Sequence, residues 1–136
     1  MRVQLYDILS NYAALTSIVG DRIYPQRVPI SDALPYVVFT VTDRNVSYDQ
    51  GGYDKYNHIF VDIESCGVTI AQADSVAKEV FNALAVQNQE VGPTGDKEQL
   101  CATTLLSESD DFYLFDGSED GVRSILQTYE ITYLEA

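Results

Sequence analysis

The sequence is poor in the residues that build most catalytic and metal sites. It has no tryptophan, one histidine and two cysteines in 136 residues. Two distant cysteines are too few for a disulfide scaffold, and one histidine leaves at most one candidate base for a catalytic triad. Basic residues are also scarce, eight against 21 acidic ones, so the basic surface of a nucleic-acid-binding protein is missing. No apolar run approaches the roughly 18 residues of a membrane span, so we expect no membrane partner.

The size and the charge of the chain set further limits. A chain of 136 residues with 46% apolar residues fits a single domain, 1–136, with its own core. Its net charge of −13 is uneven, because residues 1–48 are neutral and residues 90–136 hold eleven acidic residues against two basic ones. A negative surface commonly serves solubility, and it also repels a polyanion. The first twenty residues lack a signal-peptide cleavage pattern, so we expect a cytosolic product.

The predicted elements follow the order helix, two strands, helix, two strands. Apolar residues at steps of three and four predict helices over about 3–18 and 70–84, the second opened by a capping box from Thr69 to Gln72. β-branched and alternating residues predict strands over 36–42, 57–64, 100–107 and 122–134. We therefore predict an α+β fold, in which an antiparallel sheet of four or five strands packs against two helices.

Three connecting segments are predicted to be irregular. Residues 20–36 contain three prolines, which fix φ and remove backbone donors. Residues 43–56 are polar, and this length predicts a mobile finger rather than a tight turn. Because tyrosine buries area at low entropic cost, we expect the finger to contact a partner. The candidate contact residues are Tyr48, Gly51, Gly52, Tyr53 and Tyr56. Residues 87–99 are predicted to be a loop from their Gly, Pro and Asn content.

An acidic segment joins the last two predicted strands. Its carboxylates are Glu108, Asp110, Asp111, Asp116, Glu119 and Asp120. Asp116, Ser118 and Asp120 alternate before a glycine, as at the start of a calcium loop, but Gln127 stands where the bidentate glutamate belongs. We predict a hydrated hairpin tip here, with a small calcium-binding module as an alternative.

No group of residues has the spacing of a catalytic motif. Residues 92–97 lack the spacing of a phosphate-binding loop and are predicted to form a turn. His58 lies on a predicted strand without a nucleophile elbow elsewhere in the chain. Asp62 and Glu64 share one strand face, as solvent-facing acids commonly do. We predict that the protein is not an enzyme and has no catalytic, cofactor or metal site.

Two short motifs resemble those of the tail-terminator proteins of long-tailed bacteriophages, also called tail-completion or head-tail joining proteins. The motifs are Gly-Asp-Arg-Ile-Tyr-Pro at 20–25 and Ala-Leu-Pro-Tyr-Val-Val at 33–38. The downstream strand at 59–63, helix at 71–80 and closing strand at 129–133 are similar in order and spacing, whereas the acidic, aromatic stretch 100–121 departs from the pattern.

The resemblance implies a structural virion protein. Such proteins form a ring, usually a hexamer, that caps the tail tube, ends its polymerisation and joins the tail to the head connector. The implied partners are other copies of the chain, the tail tube protein and the head-tail connector protein, while DNA passes through without specific binding. The implied location is the tail-head junction of the virion, reached after assembly in the host cytoplasm.

The acidity of the chain allows two readings beyond solubility. In a ring, the acidic segment would face the DNA path or its rim, because carboxylates repel phosphates. In a free protein, it would mimic DNA or serve an adaptor that binds a host protein. A DNA mimic needs carboxylates at regular spacing on one face, whereas here they cluster in predicted loops, and this favours the ring.

Overall fold

The computed structural model of the chain describes residues 1–26, 33–85, 87–113 and 122–135. The helices in these ranges are α1 (Arg2–Ser10), α2 (Ala13–Val19) and α3 (Ile70–Leu84), and the strands are β1 (Ile23–Pro25), β2 (Tyr36–Asp49), β3 (Gly52–Gly67), β4 (Gln89–Val91), β5 (Glu98–Tyr113) and β6 (Val122–Leu134). The strands form one sheet in the order β1-β2-β3-β6-β5-β4. The α+β class is confirmed. The predicted numbers are wrong, because the described residues form six strands instead of four or five and three helices instead of two.

The core lies between the helices and one face of the sheet. Over residues 57–65 of β3 and 125–133 of β6 the odd-numbered side chains point to this face and are buried, as the alternation in the sequence predicts. The principal members are Val37, Phe39, Ile59, Val61, Ile63, Tyr129 and Ile131 of the sheet with Leu5, Leu9, Leu15, Val76, Val80 and Leu84 of the helices. Each such aliphatic side chain contributes about 1.5–3 kcal/mol on burial. Phe60, Asp62 and Glu130 on the opposite face stay half-exposed.

The predicted first helix over 3–18 is two helices. Asn11 ends α1, and its side-chain amide donates to the backbone oxygen of Asp7 (2.9 Å). Tyr12 is extended and starts α2, which Gly20 ends with a φ of +63°. Asparagine competes for backbone hydrogen bonds and therefore favours a helix end over a helix interior, which explains the break.

The proline-containing connector is partly regular. Ile23–Pro25 forms β1 and pairs parallel with Val37–Phe39 of β2, while all other neighbouring strands are antiparallel. Proline is tolerated here because β1 is an edge strand. Arg22 donates from Nε to the backbone oxygen of Pro35 (2.9 Å), which holds the two ends of the connector together.

The predicted finger is the continuation of two strands. β2 and β3 stay paired to Asp49 and Gly52 and are joined by a two-residue turn, so the prediction of a long loop is wrong. Gly52 takes a φ of +108°, a conformation that L side chains rarely adopt. Asp49 supports the turn, because its carboxylate accepts from the backbone N–H of Gly51 (2.7 Å).

The predicted acidic loop is also partly strand. β5 continues to Tyr113, so Glu108, Asp110 and Asp111 are paired with β6 rather than placed in a loop. Asp116, Glu119 and Asp120, with the possible calcium loop, lie outside the described residues. The predicted loop over 87–99 contains the short strand β4, and the turn at 92–97 is confirmed by a backbone hydrogen bond from Asp96 to Pro93 (3.0 Å).

Helix α3 begins where the sequence predicts. The Thr69 hydroxyl accepts from the backbone N–H of Gln72 (3.1 Å), so the capping residue is confirmed. The Gln72 side chain accepts from the N–H of Val68 (2.9 Å), one residue before the cap. Gly67 permits this close approach of β3 to the helix, because a Cβ there would lie 2.8 Å from the backbone nitrogen of Ala73.

Candidate functional site at the two ends of the sheet

The β2–β3 hairpin extends beyond one end of the sheet, and the paired strands β5 and β6 reach the opposite end. β6 ends beside β3 at the pair Tyr56 and Leu134, and the β2–β3 hairpin continues beyond this pair to its turn. β3 ends beside β6 at the pair Gly67 and Arg123, and the β5–β6 pairing continues one residue pair beyond it, to Tyr113 and Val122. The tyrosines predicted to contact a partner therefore lie at one end of the sheet. Glu108, Asp110 and Asp111 lie toward the other end.

The first end is an aromatic arm, residues 46–56. Tyr48 is 71% exposed, and its ring lies 6.0 Å from that of Tyr53 across the hairpin. The Tyr56 ring contacts His58 edge-on at 5.9 Å. Cross-strand aromatic pairs stabilise a hairpin that has no core beneath it. The arm thus presents exposed aromatic surface on a structured support.

A polar cluster fixes the base of the aromatic arm. The Arg44 guanidinium donates to Asn57 Oδ1 (2.9 Å) and to Glu135 Oε1 (2.7 Å). Asn57, which is fully buried, donates to the Tyr53 hydroxyl (2.6 Å) and to the backbone oxygen of Lys55 (3.0 Å). These bonds join β2, β3 and the chain after β6, so the direction of the arm is set by the domain.

The second end is acidic, but its carboxylates differ in surroundings. Glu108 accepts from the side-chain amide of Gln127 (2.9 Å), and Gln127 accepts in turn from the Tyr129 hydroxyl (3.0 Å). Glu108 therefore satisfies a buried amide of its own chain. Asp110 and Asp111 are exposed and border an open groove that Ile70 and Arg123 also line.

The buried Tyr129 hydroxyl makes the free energy of unfolding depend on pH in the alkaline range. Burial raises the pKa of Tyr129 well above its ordinary value, and the charge of Glu108 raises it further. Because the folded state then holds the proton more tightly than the unfolded state, stability is lost as the pH rises above about 10. We expect this group to lower the free energy of unfolding by up to about 1.4 kcal/mol per pH unit in that range.

Urea denaturation between about pH 9 and 11 measures this dependence. Tyr129→Phe should be less stable than the natural protein at neutral pH and should show a shallower loss of stability above pH 10. Equal slopes for the two proteins would contradict the assignment.

The other candidate groups are not brought into a reactive arrangement. His58 Nδ1 lies 3.1 Å from the Thr132 hydroxyl and 3.4 Å from a Glu130 carboxylate oxygen, on the half-exposed face of the sheet. Cys66 is buried and Cys101 half-buried, and neither is part of a disulfide. In the described ranges, no three His, Cys, Asp or Glu side chains group as metal ligands would. The helices of those ranges are too short or too polar to cross a membrane.

Two functional features are missing from the sequence predictions. The Arg44 cluster joins residues 91 positions apart, and its only local signal is a cationic residue inside a polar strand. The chain of hydrogen bonds from Tyr129 to Glu108 depends on Gln127, which is 1% exposed. The sequence does contain a signal for this hydrogen-bonded chain, because Gln127 is a polar residue in an otherwise apolar row on the buried face of β6, and a buried amide needs hydrogen-bond partners.

Comparison with known proteins gives one family and two related folds. The sequence profile of the family described as tail completion protein gp17 matches residues 3–132. A chain in the solved structure titled "Virion of native gene transfer agent (GTA) particle" has a TM-score of 0.67 at 18% identity, covering 96% of this chain and 91% of that one. A second solved chain, whose title states no activity, has a TM-score of 0.52 at 15% identity, covering 91% and 93%. No curated protein matches.

Proposed function

Because the chain belongs to the family of tail completion protein gp17, we propose that it closes the growing end of a phage-type tail as a ring and joins that end to the head. The chain is a structural protein of a phage tail and not an enzyme. The finer part of the proposal is a ring, with six copies as the expected number, that caps the tail tube and ends its polymerisation. DNA passes through this ring without being bound specifically.

The observation that carries the proposal beyond the family is that the aromatic arm and the acidic residues of β5 lie toward opposite ends of the sheet. A protein that joins two assemblies needs a contact surface toward each of them. The aromatic arm extends from one end of the sheet, and the acidic strand β5 pairs with β6 up to the other end. One sheet links the two ends, so that a ring of such domains would hold the aromatic arms toward a partner assembly and the acidic ends at the lumen or the opposite rim.

The aromatic arm is the proposed partner contact. Tyr48 and Tyr53 pair across it, Tyr56 lies at its base, Gly51 lies in its two-residue turn, and Gly52 follows the turn as the first residue of β3. Tyrosine is enriched in protein interfaces, where its ring packs and its hydroxyl bonds to the partner. The Tyr48 ring contacts Tyr53 and leaves 71% of the residue exposed, so it is accessible to a partner.

The acidic end is the proposed lining or rim of the DNA path. Asp110 and Asp111 belong to this set by their exposure, and Asp116, Glu119 and Asp120 belong to it by sequence alone. Glu108 has a structural task as well, because it accepts from Gln127. The same bond disfavours the alternative of a free DNA mimic, which would offer its carboxylates to a basic partner.

A complementation experiment tests this function. When the gene for this protein is disrupted, we expect the host cells to produce headless tails of uncontrolled length, because nothing ends the growth of the tail tube. Supplying the natural protein should restore tails of uniform length joined to heads. Normal, infectious particles assembled without the protein would overturn the proposal.

A further inference from the structure

The aromatic arm is set off from the rest of the sheet by a bulge in β3. β2 pairs with β3 at Val46 and Asn57, and again further out at Tyr48 and Tyr53. Between these two pairs, one residue of β2 stands opposite three residues of β3, 54–56. Extra residues of this kind bend the strand that carries them and increase its twist. The bulge therefore sets the direction in which the arm leaves the sheet.

The bulge contains a strained backbone conformation that three hydrogen bonds hold in place. Lys55 has a φ of +67°, and among the described non-glycine residues with a positive φ it alone lies within a strand. The Asp54 carboxylate accepts from the backbone N–H of Tyr56 (3.0 Å). The backbone oxygen of Lys55 accepts from the side-chain amide of Asn57 (3.0 Å) and from the backbone N–H of Glu135 (2.9 Å). The strained conformation persists because these neighbours fix it.

Arg44 holds the same bulge from the neighbouring strand. Its guanidinium donates to Asn57 (2.9 Å) and to Glu135 (2.7 Å), the two residues that also donate to the backbone oxygen of Lys55. The side chains of Arg44 and Glu135 are 44% and 32% exposed, and ion pairs with this exposure add little to the free energy of unfolding. The chief effect of Arg44 is therefore on the geometry of the bulge rather than on the stability of the core.

Tyr53 connects this polar cluster to the exposed ring of Tyr48. The Tyr53 hydroxyl accepts from the side-chain amide of Asn57 (2.6 Å) and from the guanidinium of Arg44 (3.4 Å), so it is directed toward its own domain. Its ring lies 6.0 Å from that of Tyr48. Tyr53 is 38% exposed and Tyr48 is 71% exposed. Of this pair, Tyr48 therefore offers the larger free surface, and Tyr53 supports it from the side of the domain.

We propose that Arg44, Tyr53 and Lys55 are positioning residues, which direct the aromatic arm so that Tyr48 meets the partner assembly. Tyr53 supports this contact through its ring, while its hydroxyl stays bonded within its own domain. Because the arm is held before the partner arrives, binding does not have to order a free loop, and this preserves affinity. The inference rests on the proposed function of the aromatic arm, for which it names the residues that fix its direction.

A double-mutant cycle between Arg44→Ala and Tyr48→Ala tests the positioning role. The yield of finished particles is measured for the natural protein, for each single variant and for the double variant. We expect Arg44→Ala alone to lower the yield at least fivefold. In the Tyr48→Ala background it should change the yield less than twofold, because the side chain that it positions is already missing. A general loss of the fold would instead lower the yield by the same factor in both backgrounds. The matched control is Arg2→Ala, which removes an exposed arginine from α1 and should assemble normally.

Two substitutions at Lys55 test the bulge with the same readout. Lys55→Gly and Lys55→Val both remove the charged side chain, but glycine accepts a φ of +67° and β-branched valine resists it. We expect the natural particle yield from the glycine variant and a yield at least fivefold lower from the valine variant. Equal yields from these two variants, or the same loss from Arg44→Ala in both backgrounds of the cycle, would overturn the positioning role alone. A natural yield from Tyr48→Ala would overturn the contact of the arm and the positioning role together.

Discussion

Replacing Tyr48 by alanine is expected to block the joining of tails to heads while leaving the fold intact. Tyr48 is 71% exposed and contacts its own domain chiefly through Tyr53, so its removal costs little stability. A tyrosine at the centre of an interface contributes about 2 kcal/mol or more to binding, which corresponds to roughly a 30-fold loss of affinity. We therefore expect at least tenfold fewer finished particles when Tyr48→Ala replaces the natural protein.

The matched control is Tyr6→Ala, which removes an exposed tyrosine from α1. Its particle yield should equal that of the natural protein. The midpoint of thermal unfolding should stay nearly unchanged for both variants, since neither side chain belongs to the core. If Tyr48→Ala assembles particles as well as Tyr6→Ala does, the aromatic arm is not the partner contact.

The second large effect is expected from reversing charge at the acidic end. Asp110→Lys with Asp111→Lys adds four units of positive charge per copy, and a ring repeats this change around one axis. If these residues face the DNA path, the ring becomes a basic collar that holds phosphates, and the hold weakens as salt rises. We expect particles that assemble but eject DNA at least tenfold more slowly at low salt, with recovery at high salt.

The control for charge alone is Asp21→Lys with Glu90→Lys, the same change at two exposed acids away from the acidic end. This variant should eject DNA at the natural rate at every salt concentration. Natural ejection by Asp110→Lys with Asp111→Lys, in particles shown to contain the variant protein, would place the acidic end outside the DNA path. Screening over about 8 Å at physiological salt makes low salt the decisive condition.

The elements that the sequence predicts best are those with a local signal. Helix α3 combines an apolar stripe with the Thr69 cap, and both are readable from neighbouring residues. The buried faces of β3 and β6 follow from strict alternation. Strand β1 is missed because only three residues form it, and its partner on β2 lies fourteen positions away from it in the sequence. Its stability comes from tertiary pairing rather than from propensity.

In the candidate site, too, the features with a local sequence signal are predicted and those that depend on distant contacts are missed. The polar composition of residues 43–56 predicts a loop, because a hairpin that buries neither face lacks the alternation of a half-buried strand. The two-residue turn at Gln50 and Gly51 and the cross-strand tyrosines hold it as a hairpin. The exposure of the tyrosines could be predicted from the sequence, whereas the direction of the arm depends on the distant contact between Arg44 and Glu135.

Cryo-electron microscopy of isolated tails carrying the natural protein tests the central claim most directly. The account predicts a closed ring of this chain, one layer thick, on the head-proximal end of the tail tube. It further predicts six copies in that ring, with the aromatic arms at one rim and the acidic ends at the lumen or the other rim. A tail end on which this chain is absent, or is bound as separate copies that do not contact each other, would contradict the account.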